Sequence, residues 1–178
     1  MRTMTTAERN ALIEQLKGTR QSFVTAASGM TDEQGKFKPA PDRWSIEECA
    51  EHLALVERSL LKRIREESTA SDHVERPERQ TELHRAAVNR DGKRQAPDRV
   101  APSGQYGSLA KALDQFASNR EQTIAYVSAC PDDLHARTVA HPVFGAMTSH
   151  EYLIFMAGHT LRHLEQVREI RASSGFPS

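Results

Sequence analysis

Two histidines stand four residues apart in "FMAGHTLRHLEQV", residues 155–167. If this stretch is helical, the side chains of His159 and His163 lie on the same face, about one turn apart. Eight histidines in 178 residues give roughly 0.3 such pairs by composition alone, so the spacing by itself is a weak sign of a site. The rings could equally be two partly buried imidazoles, each hydrogen-bonded to a neighbour. A metal centre of the catalytic zinc type needs a third ligand, because such centres take three protein ligands and keep one position open.

His52 is the candidate for that third ligand. It lies on the same helical stripe as Cys49, Val56 and Leu60, so its ring is expected to point inward. His52 comes about seven residues after the start of its helix and His163 about ten before the end of its own, so an antiparallel pairing brings the rings within about one turn. A parallel pairing would place them further apart. Three buried imidazoles cannot all be protonated, whereas a divalent metal can bind all three as neutral ligands.

Other polar groups near these histidines narrow the chemistry. The sequence "HTLRH" lacks the glutamate of the HExxH motif, which excludes the zincin type of metalloprotease. Glu48 and Glu51 are the nearest carboxylates on the helix of His52 and the candidates for a pocket mouth. Cys49 is either a fourth ligand or a buried thiol of the core, which is the commoner case. Trp44, just before that helix, is more often a residue that packs on the first turn than a platform for a substrate.

Arg120 and Gln166 are the candidates for cofactor binding. Arg120 falls on the inward stripe of the third predicted helix, where a guanidinium without a partner would be costly. It either pairs with a carboxylate such as Glu48 or Glu51, or lines a pocket for an anion. Gln166, three residues after His163, either supports that ligand or lies at the edge of the helix. The remaining histidines fall in loops or at a helix start and are predicted to face mostly solvent: His73, His84, His135, His141 and His150.

The elements that position these residues are predicted from apolar residues at helical spacing. Capping boxes mark two helix starts, Ser45 with Glu48 and Thr148 with Glu151. No segment shows sustained strand alternation, so we predict an all-α fold, a four-helix bundle. The four helices are expected over about residues 5–28, 45–68, 107–129 and 148–173.

Two connecting segments differ from these helices. Residues 29–43, "GMTDEQGKFKPAPDR", are predicted to be a turn-rich break in which the prolines exclude a helix. Residues 68–104 form a long, charged connector with one short helix around residues 79–89, and they can cross the bundle so that the second and third helices run parallel. Because so long a connection is unusual in a compact domain, we predict that part of it shapes the rim of the pocket, the alternative being a solvated crossover. Its arginines suit an anionic ligand better than a core: Arg76, Arg79, Arg85, Arg90, Arg94 and Arg99.

Composition bounds the class of protein. Lys plus Arg and Asp plus Glu both number 24, so no net charge favours nucleic acid or an acidic membrane. The N-terminal residues show no secretory pattern, and no apolar run approaches the length of a membrane span. The two cysteines, Cys49 and Cys130, lack the spacing of a metal or redox motif and suit a reducing compartment. We therefore expect a single domain over residues 1–178, soluble and cytoplasmic, with no nucleic-acid or membrane partner.

Three stretches together resemble the DinB-like superfamily. They are "PAPDRWSIEECAEHLALVERSLLKRI", "APDRVAPSGQYGSLAKALDQFASNRE" and "HPVFGAMTSHEYLIFMAGHTLRHLEQVREI", and they cover nearly the whole chain. The resemblance implies an up-down-down-up four-helix bundle, often a homodimer. It also implies a divalent metal, zinc or nickel, held by His52, His159 and His163. Relatives in that superfamily include thiol-dependent transferases and isomerases that use bacillithiol or mycothiol, and metal-dependent hydrolases.

These observations lead to two functional hypotheses. The first is an enzyme, a hydrolase or a thiol-dependent transferase, in which a metal on the three histidines activates a water or a thiolate for a small-molecule substrate. In the transferase case a low-molecular-weight thiol would be the second cofactor. The alternative is a non-catalytic, metal-stabilised binding or stress-associated protein, because a helical bundle does not fix a function. A carboxylate projecting into the pocket mouth would favour the enzyme.

Overall fold

The computed structural model describes residues 3–73, 75, 77–89, 95–141 and 143–178. Four long helices pack into an up-down-down-up bundle, as predicted. Within the described part of the chain, no helix combines the length and apolarity that a membrane span requires. The helices are α1 Thr6–Ala27, α2 Asp32–Lys36, α3 Ile46–Glu67, α4 Pro77–Val88, α5 Leu109–Ala129 and α6 Ser149–Arg171, with a 3₁₀ turn at Asp98–Val100. The strands are β1 Thr69–Ala70, β2 Arg137–His141 and β3 Gly145–Thr148.

Reciprocal caps fix where the two helices that carry the site begin. The hydroxyl of Ser45 accepts from the backbone N–H of Glu48, whose carboxylate accepts from the backbone N–H of Ser45. Thr148 and Glu151 form the same pair at the start of α6. Both predicted capping boxes are therefore confirmed. Each cap determines the first residue of its helix. Since side chains follow the helical period from there, the position of each histidine relative to the first turn is determined as well.

The predicted all-α fold is confirmed, and a small sheet accompanies the helices. A small antiparallel sheet has the strand order β1-β2-β3, with Thr69 opposite Thr138 and Val139 opposite Met147. Its strands are two to five residues long, too short for alternation to stand out in the sequence. The break at residues 29–43 likewise contains a single helical turn, α2, which begins after its own capping box at Thr31.

The connector packs onto the bundle through α4, which lies against α6. Its helix begins two residues before the predicted start at residue 79 and ends one residue before the predicted end. Close contact is made at Gly158, where a Cβ would lie 2.8 Å from the Cβ of Ala87. Gly158 immediately precedes His159, so this contact lies beside the histidine face of α6.

We expect Gly158→Ala to destabilise the protein by about 1–3 kcal/mol, because the added methyl would force α4 and α6 apart. Alanine favours a helix by about 1 kcal/mol over glycine, and that gain is smaller than the packing cost. Urea denaturation would measure the change. The double variant Ala87→Gly/Gly158→Ala moves the methyl from one helix to the other and should regain most of the loss. A single variant as stable as the native chain would contradict the close contact.

His141, at the end of β2, makes stability depend on pH. Its Nδ1 accepts hydrogen bonds from the backbone N–H groups of Val143 and Phe144, at 3.1 and 3.2 Å. Burial, helped by the charge of Arg63, lowers the pKa of His141 from 6.5 to about 4. Between these values the unfolded chain binds a proton that the folded chain does not. Stability contributed by the neutral ring is therefore complete above pH 6.5 and is lost as the pH falls towards 4.

Between pH 7 and pH 4.5 we expect the His141→Asn variant to lose about 2 kcal/mol less stability than the native chain. The asparagine oxygen can accept the same two backbone hydrogen bonds but does not titrate. Denaturant curves of the native and variant chains at a series of pH values would separate His141 from the other histidines. Parallel pH profiles of the two chains would show that His141 does not carry this dependence.

Candidate metal centre

His52 on α3 and His159 and His163 on α6 converge inside the bundle. The ring centroids lie 5.3 Å apart for His52 and His159, 4.9 Å for His52 and His163, and 4.7 Å for His159 and His163. One nitrogen from each ring lies within 4.8 Å of the other two. His52 and His163 are buried and His159 is half-buried. The structure thus brings together the three residues that the sequence singled out as ligands.

Hydrogen bonds set the tautomers of two of these rings. His52 Nδ1 lies 2.7 Å from the carbonyl oxygen of Val100, which can only accept, so this nitrogen carries the proton. The neutral ring then has its lone pair on Nε2, which lies 3.0 Å from Nε2 of His159. His163 Nδ1 lies 3.1 Å from the side-chain oxygen of Gln166 and donates to it in the same way. Metal-binding histidines in proteins are typically oriented by such a bond from the other ring nitrogen.

Two of the three rings, those of His52 and His159, are held in the neutral form that binds metals. Burial lowers the pKa of His52 to about 4, although the bond to Val100 acts in the opposite direction. Burial also lowers the pKa of His159 well below 6.5, and the neighbouring His52 and Arg162 act in the same sense. Two facing nitrogens in a dry site cannot both be protonated without strong repulsion. The donor set therefore fits a divalent cation with imidazole ligands, such as zinc or nickel.

Aromatic side chains enclose this cluster. The ring of Trp44 lies 4.8 Å from that of His52 and stacks on His163 at 6.0 Å. Phe155 stacks on His159 at 6.0 Å. Trp44 thus does more than pack on the first turn of α3, because it covers two of the three histidines.

An open depression of about 450 Å³ lies against the cluster. Trp44 and Gln166, which both contact site histidines, are among the residues that line it. The others come from the segment before α3 and from the end of α6: Pro39, Ala40, Asp42, Arg43, Glu169 and Ile170. A small molecule in this depression would contact Trp44 and Gln166, which separate it from the histidines, and would have charged groups at its edge.

The two carboxylates of α3 that were candidates for the pocket mouth form bonds elsewhere. Glu48 belongs to the capping box and pairs with Lys38 at 2.7 Å. Glu51 is buried, and it accepts from the backbone N–H groups of residues 103, 104 and 105. Burial raises the pKa of Glu51, but these bonds outweigh it and hold the pKa below its ordinary value. Cys49 lies in the core with 0% exposure. Glu51 therefore anchors the loop after Val100 rather than projecting into a pocket mouth.

Arg120 lies wholly inside the bundle. Its Nε and one Nη donate to the two carboxylate oxygens of Glu57, at 2.8 and 2.9 Å. The remaining N–H groups bond to the carbonyl oxygen of Leu16 and to two threonine hydroxyls, those of Thr19 and Thr160. The carboxylate partner expected in Glu48 or Glu51 is instead Glu57. Because its N–H groups are engaged within the core, we assign Arg120 a structural role, in place of the predicted cofactor binding.

A second cluster of histidines was missed by the sequence. His135 and His150 are buried, 5% and 6% exposed, and the expectation that they face solvent was wrong. They lie beside Glu75 of the connector, and the three residues offer ligand atoms within 4.8 Å of one another. The three residues are far apart along the chain, so the sequence did not predict that they form a cluster. The only local signal was the position of His150 in the first turn of a capped helix. The three other histidines that were predicted to face solvent are half-buried: His73, His84 and His141.

The connector reaches the three-histidine centre through Val100, whose carbonyl oxygen contacts His52. Of its arginines, Arg79 pairs with Glu151 of α6 at 3.1 Å, and Arg85 and Arg99 are exposed. Arg76, Arg90 and Arg94 lie outside the described residues. The role of the connector in substrate choice stays a prediction.

The fold and the centre define a four-helix-bundle protein with a three-histidine cluster of metal-ligand type. The family model of the DinB superfamily matches residues 15–167. The chain therefore belongs to the DinB superfamily.

Known proteins resemble the chain in sequence and in fold. The uncharacterized protein YuaE of Bacillus subtilis (strain 168) is 29% identical over 143 residues, which cover 80% of this chain and 86% of YuaE. YfiT from Bacillus subtilis, described as a probable metal-dependent hydrolase with an unusual four-helix bundle topology, has a TM-score of 0.65. That likeness covers 99% of this chain and 93% of YfiT at 14% identity. The four-helix bundle protein TT2238 has a TM-score of 0.58 at 21% identity, over 89% of this chain and 96% of TT2238. The two structural likenesses show the shared fold.

Proposed function

We propose that this protein is a metal-dependent enzyme whose centre is formed by His52, His159 and His163. The observation that carries the proposal is the orientation of two rings by Val100 and Gln166, which leaves Nε2 of each as the ligand nitrogen. Zinc or nickel suits this set of imidazoles. The description of YfiT as a probable metal-dependent hydrolase supports the same class of chemistry.

The protein's own residues position the reaction. Val100 and Gln166 hold the rings, Trp44 shields them from bulk water, and the adjoining depression receives the substrate. A divalent cation held by the three histidines would lower the pKa of a bound water or thiol, and so supply hydroxide or thiolate near neutral pH. Hydrolysis and thiol-dependent transfer both use such a nucleophile.

A screen on tag-free protein, depleted of metal and reloaded with zinc or nickel, tests this proposal. Ester and amide substrates would test hydrolysis, and electrophiles with bacillithiol, mycothiol or glutathione would test transfer. We expect turnover that requires metal and is lost in His52→Asn, which keeps a donor towards Val100 but removes the ligand. Equal turnover by native and variant chains would overturn the proposal.

One observation favours the alternative of a non-catalytic, metal-stabilised binding protein. Glu48 and Glu51, the carboxylates expected at the pocket mouth, are both engaged elsewhere. A chain that binds metal stoichiometrically and is stabilised by it, but turns over no substrate in either half of the screen, would have this role.

We also propose that the protein is a homodimer, as the family resemblance implies, and that it is cytoplasmic, as its two cysteines without a redox or metal spacing favour. Balanced charge, 24 basic and 24 acidic residues, gives copies of the chain little mutual repulsion. Light scattering at tens of micromolar should give twice the mass of the 19.9 kDa chain. A monomer mass would contradict the dimer without bearing on the metal centre.

A further inference from the structure

The second cluster joins three segments that are distant in sequence. Glu75 lies in the connector just before α4, His135 lies between α5 and β2, and His150 lies in the first turn of α6. His135 Nδ1 is 2.9 Å from one carboxylate oxygen of Glu75, and His150 Nδ1 is 3.2 Å from the other. The two imidazole rings are 4.3 Å apart. All three side chains are at least nine-tenths buried.

The charge of the cluster is concentrated on one carboxylate. Burial raises the pKa of Glu75, but the two histidines and the hydroxyl of Thr148 outweigh it and keep the pKa below its ordinary value. Glu75 is therefore ionised in the interior, where an anion needs a cationic partner. The carboxylate raises the pKa of His135, which makes this imidazole the first candidate for that partner. A divalent cation bound by the Nδ1 atoms of both histidines would supply the positive charge in place of a proton.

We propose that Glu75, His135 and His150 form a second divalent-cation site, distinct from the three-histidine centre. Two imidazoles and one carboxylate are a ligand set suited to zinc, cobalt or iron(II). Ligand atoms around a tetrahedral zinc lie roughly 3.4 Å apart, so distances of 2.9 and 3.2 Å need only a small expansion to admit one.

The two sites are too far apart to act as one dinuclear centre. His150 and His159 are nine residues apart on α6, which is roughly 13 Å along the helix axis. Metal ions that share a reaction lie about 3.5–4 Å apart. The second cation would instead clamp the connector to the start of α6, where the ion pair of Arg79 with Glu151 already joins the same elements. Its role is therefore structural, and it does not depend on the proposed enzymatic activity.

Metal content of tag-free protein tests the proposal. Each chain would be equilibrated with excess zinc, freed of unbound metal by gel filtration and analysed for zinc per chain. We expect two zinc ions for the native chain and one each for Glu75→Gln and His159→Ala. The double variant should hold none. Glu78→Gln, at an exposed position on α4, is the matched control and should keep two.

A thermal measurement covers variants that bind zinc weakly. Zinc at about 100 times its dissociation constant should raise the Tm of His159→Ala by about 5–10 °C, and leave that of Glu75→Gln/His159→Ala unchanged. Circular dichroism of each variant before zinc addition would establish that it is folded. If His159→Ala holds no zinc and shows no shift, or if Glu75→Gln leaves the zinc content at the native value, the second site does not exist. If the double variant does not fold, His150→Gln in the His159→Ala background replaces it, with the same two readouts.

Discussion

We expect His159→Ala to abolish metal binding at the three-histidine centre, because it removes a ligand whose Nε2 lies 3.0 Å from that of His52. Loss of a residue that only supports a ligand typically costs 10–100-fold in affinity, and loss of a ligand should cost more. The measurement is titration of metal-depleted, tag-free chains with zinc or nickel. Every chain in the titration would also carry Glu75→Gln, which removes the second proposed site. The measured affinity then reports on the three-histidine centre alone.

Two further variants sharpen this test. Gln166→Leu should weaken binding by about 10–100-fold without abolishing it, because the ligands remain while the orientation of His163 is lost. His84→Gln removes a histidine outside both clusters and should leave the affinity unchanged. Affinity in His159→Ala equal to that of the His84→Gln control would show that the three histidines do not form the metal centre.

The second large effect is expected at the buried ion pair of Arg120 and Glu57. Arg120→Met should destabilise the protein by about 3–5 kcal/mol, because it leaves a carboxylate that is 3% exposed without its cation. Glu57 would keep only the hydroxyl of Thr123, at 2.8 Å, among the partners described for its oxygens. Urea denaturation would give the change in the free energy of unfolding, and little change in the slope is expected.

A double-mutant cycle separates the pair from the rest of the core. Glu57→Gln/Arg120→Met removes both charges and should be more stable than Arg120→Met alone, since no unpaired charge stays buried. The exposed pair of Lys62 and Glu66, at 3.7 Å, is the matched control, and Lys62→Met should change stability by less than about 1 kcal/mol. Additive losses in the cycle would argue that Arg120 stabilises the core through its threonine and carbonyl partners alone.

Both results bear on the three-histidine centre, because the two networks share a helix. Thr160, which accepts from Arg120, directly follows His159 on α6. The bond to Thr160 thus ties the ion pair to α6 beside His159, while Trp44 and Phe155 pack on the histidine rings. Loss of the pair is expected to weaken metal binding only to the extent that α6 moves.

The sequence by itself determined the features that depend on residues close together in the chain. The capping boxes at Ser45 and Thr148 predict where α3 and α6 begin, since both partners lie within one helical turn. The apolar stripes then indicate which face of each helix is buried. His52 could be placed on the inward face of its helix for that reason, and the i,i+4 spacing placed His159 and His163 side by side. The motif resemblance supplied the order of the helices in the bundle.

Only the tertiary structure decided which distant groups meet. Three contacts join segments that are far apart along the chain: the carbonyl oxygen of Val100 on His52 (48 residues), Glu57 on Arg120 (63 residues), and the pairing of β1 with β2 (67 and 69 residues). The cluster of Glu75, His135 and His150 is of the same kind. Such contacts leave no periodic trace in the sequence, because each depends on how whole elements pack. Whether a polar residue in a loop is buried depends on which elements pack over it. Composition and spacing do not predict that packing.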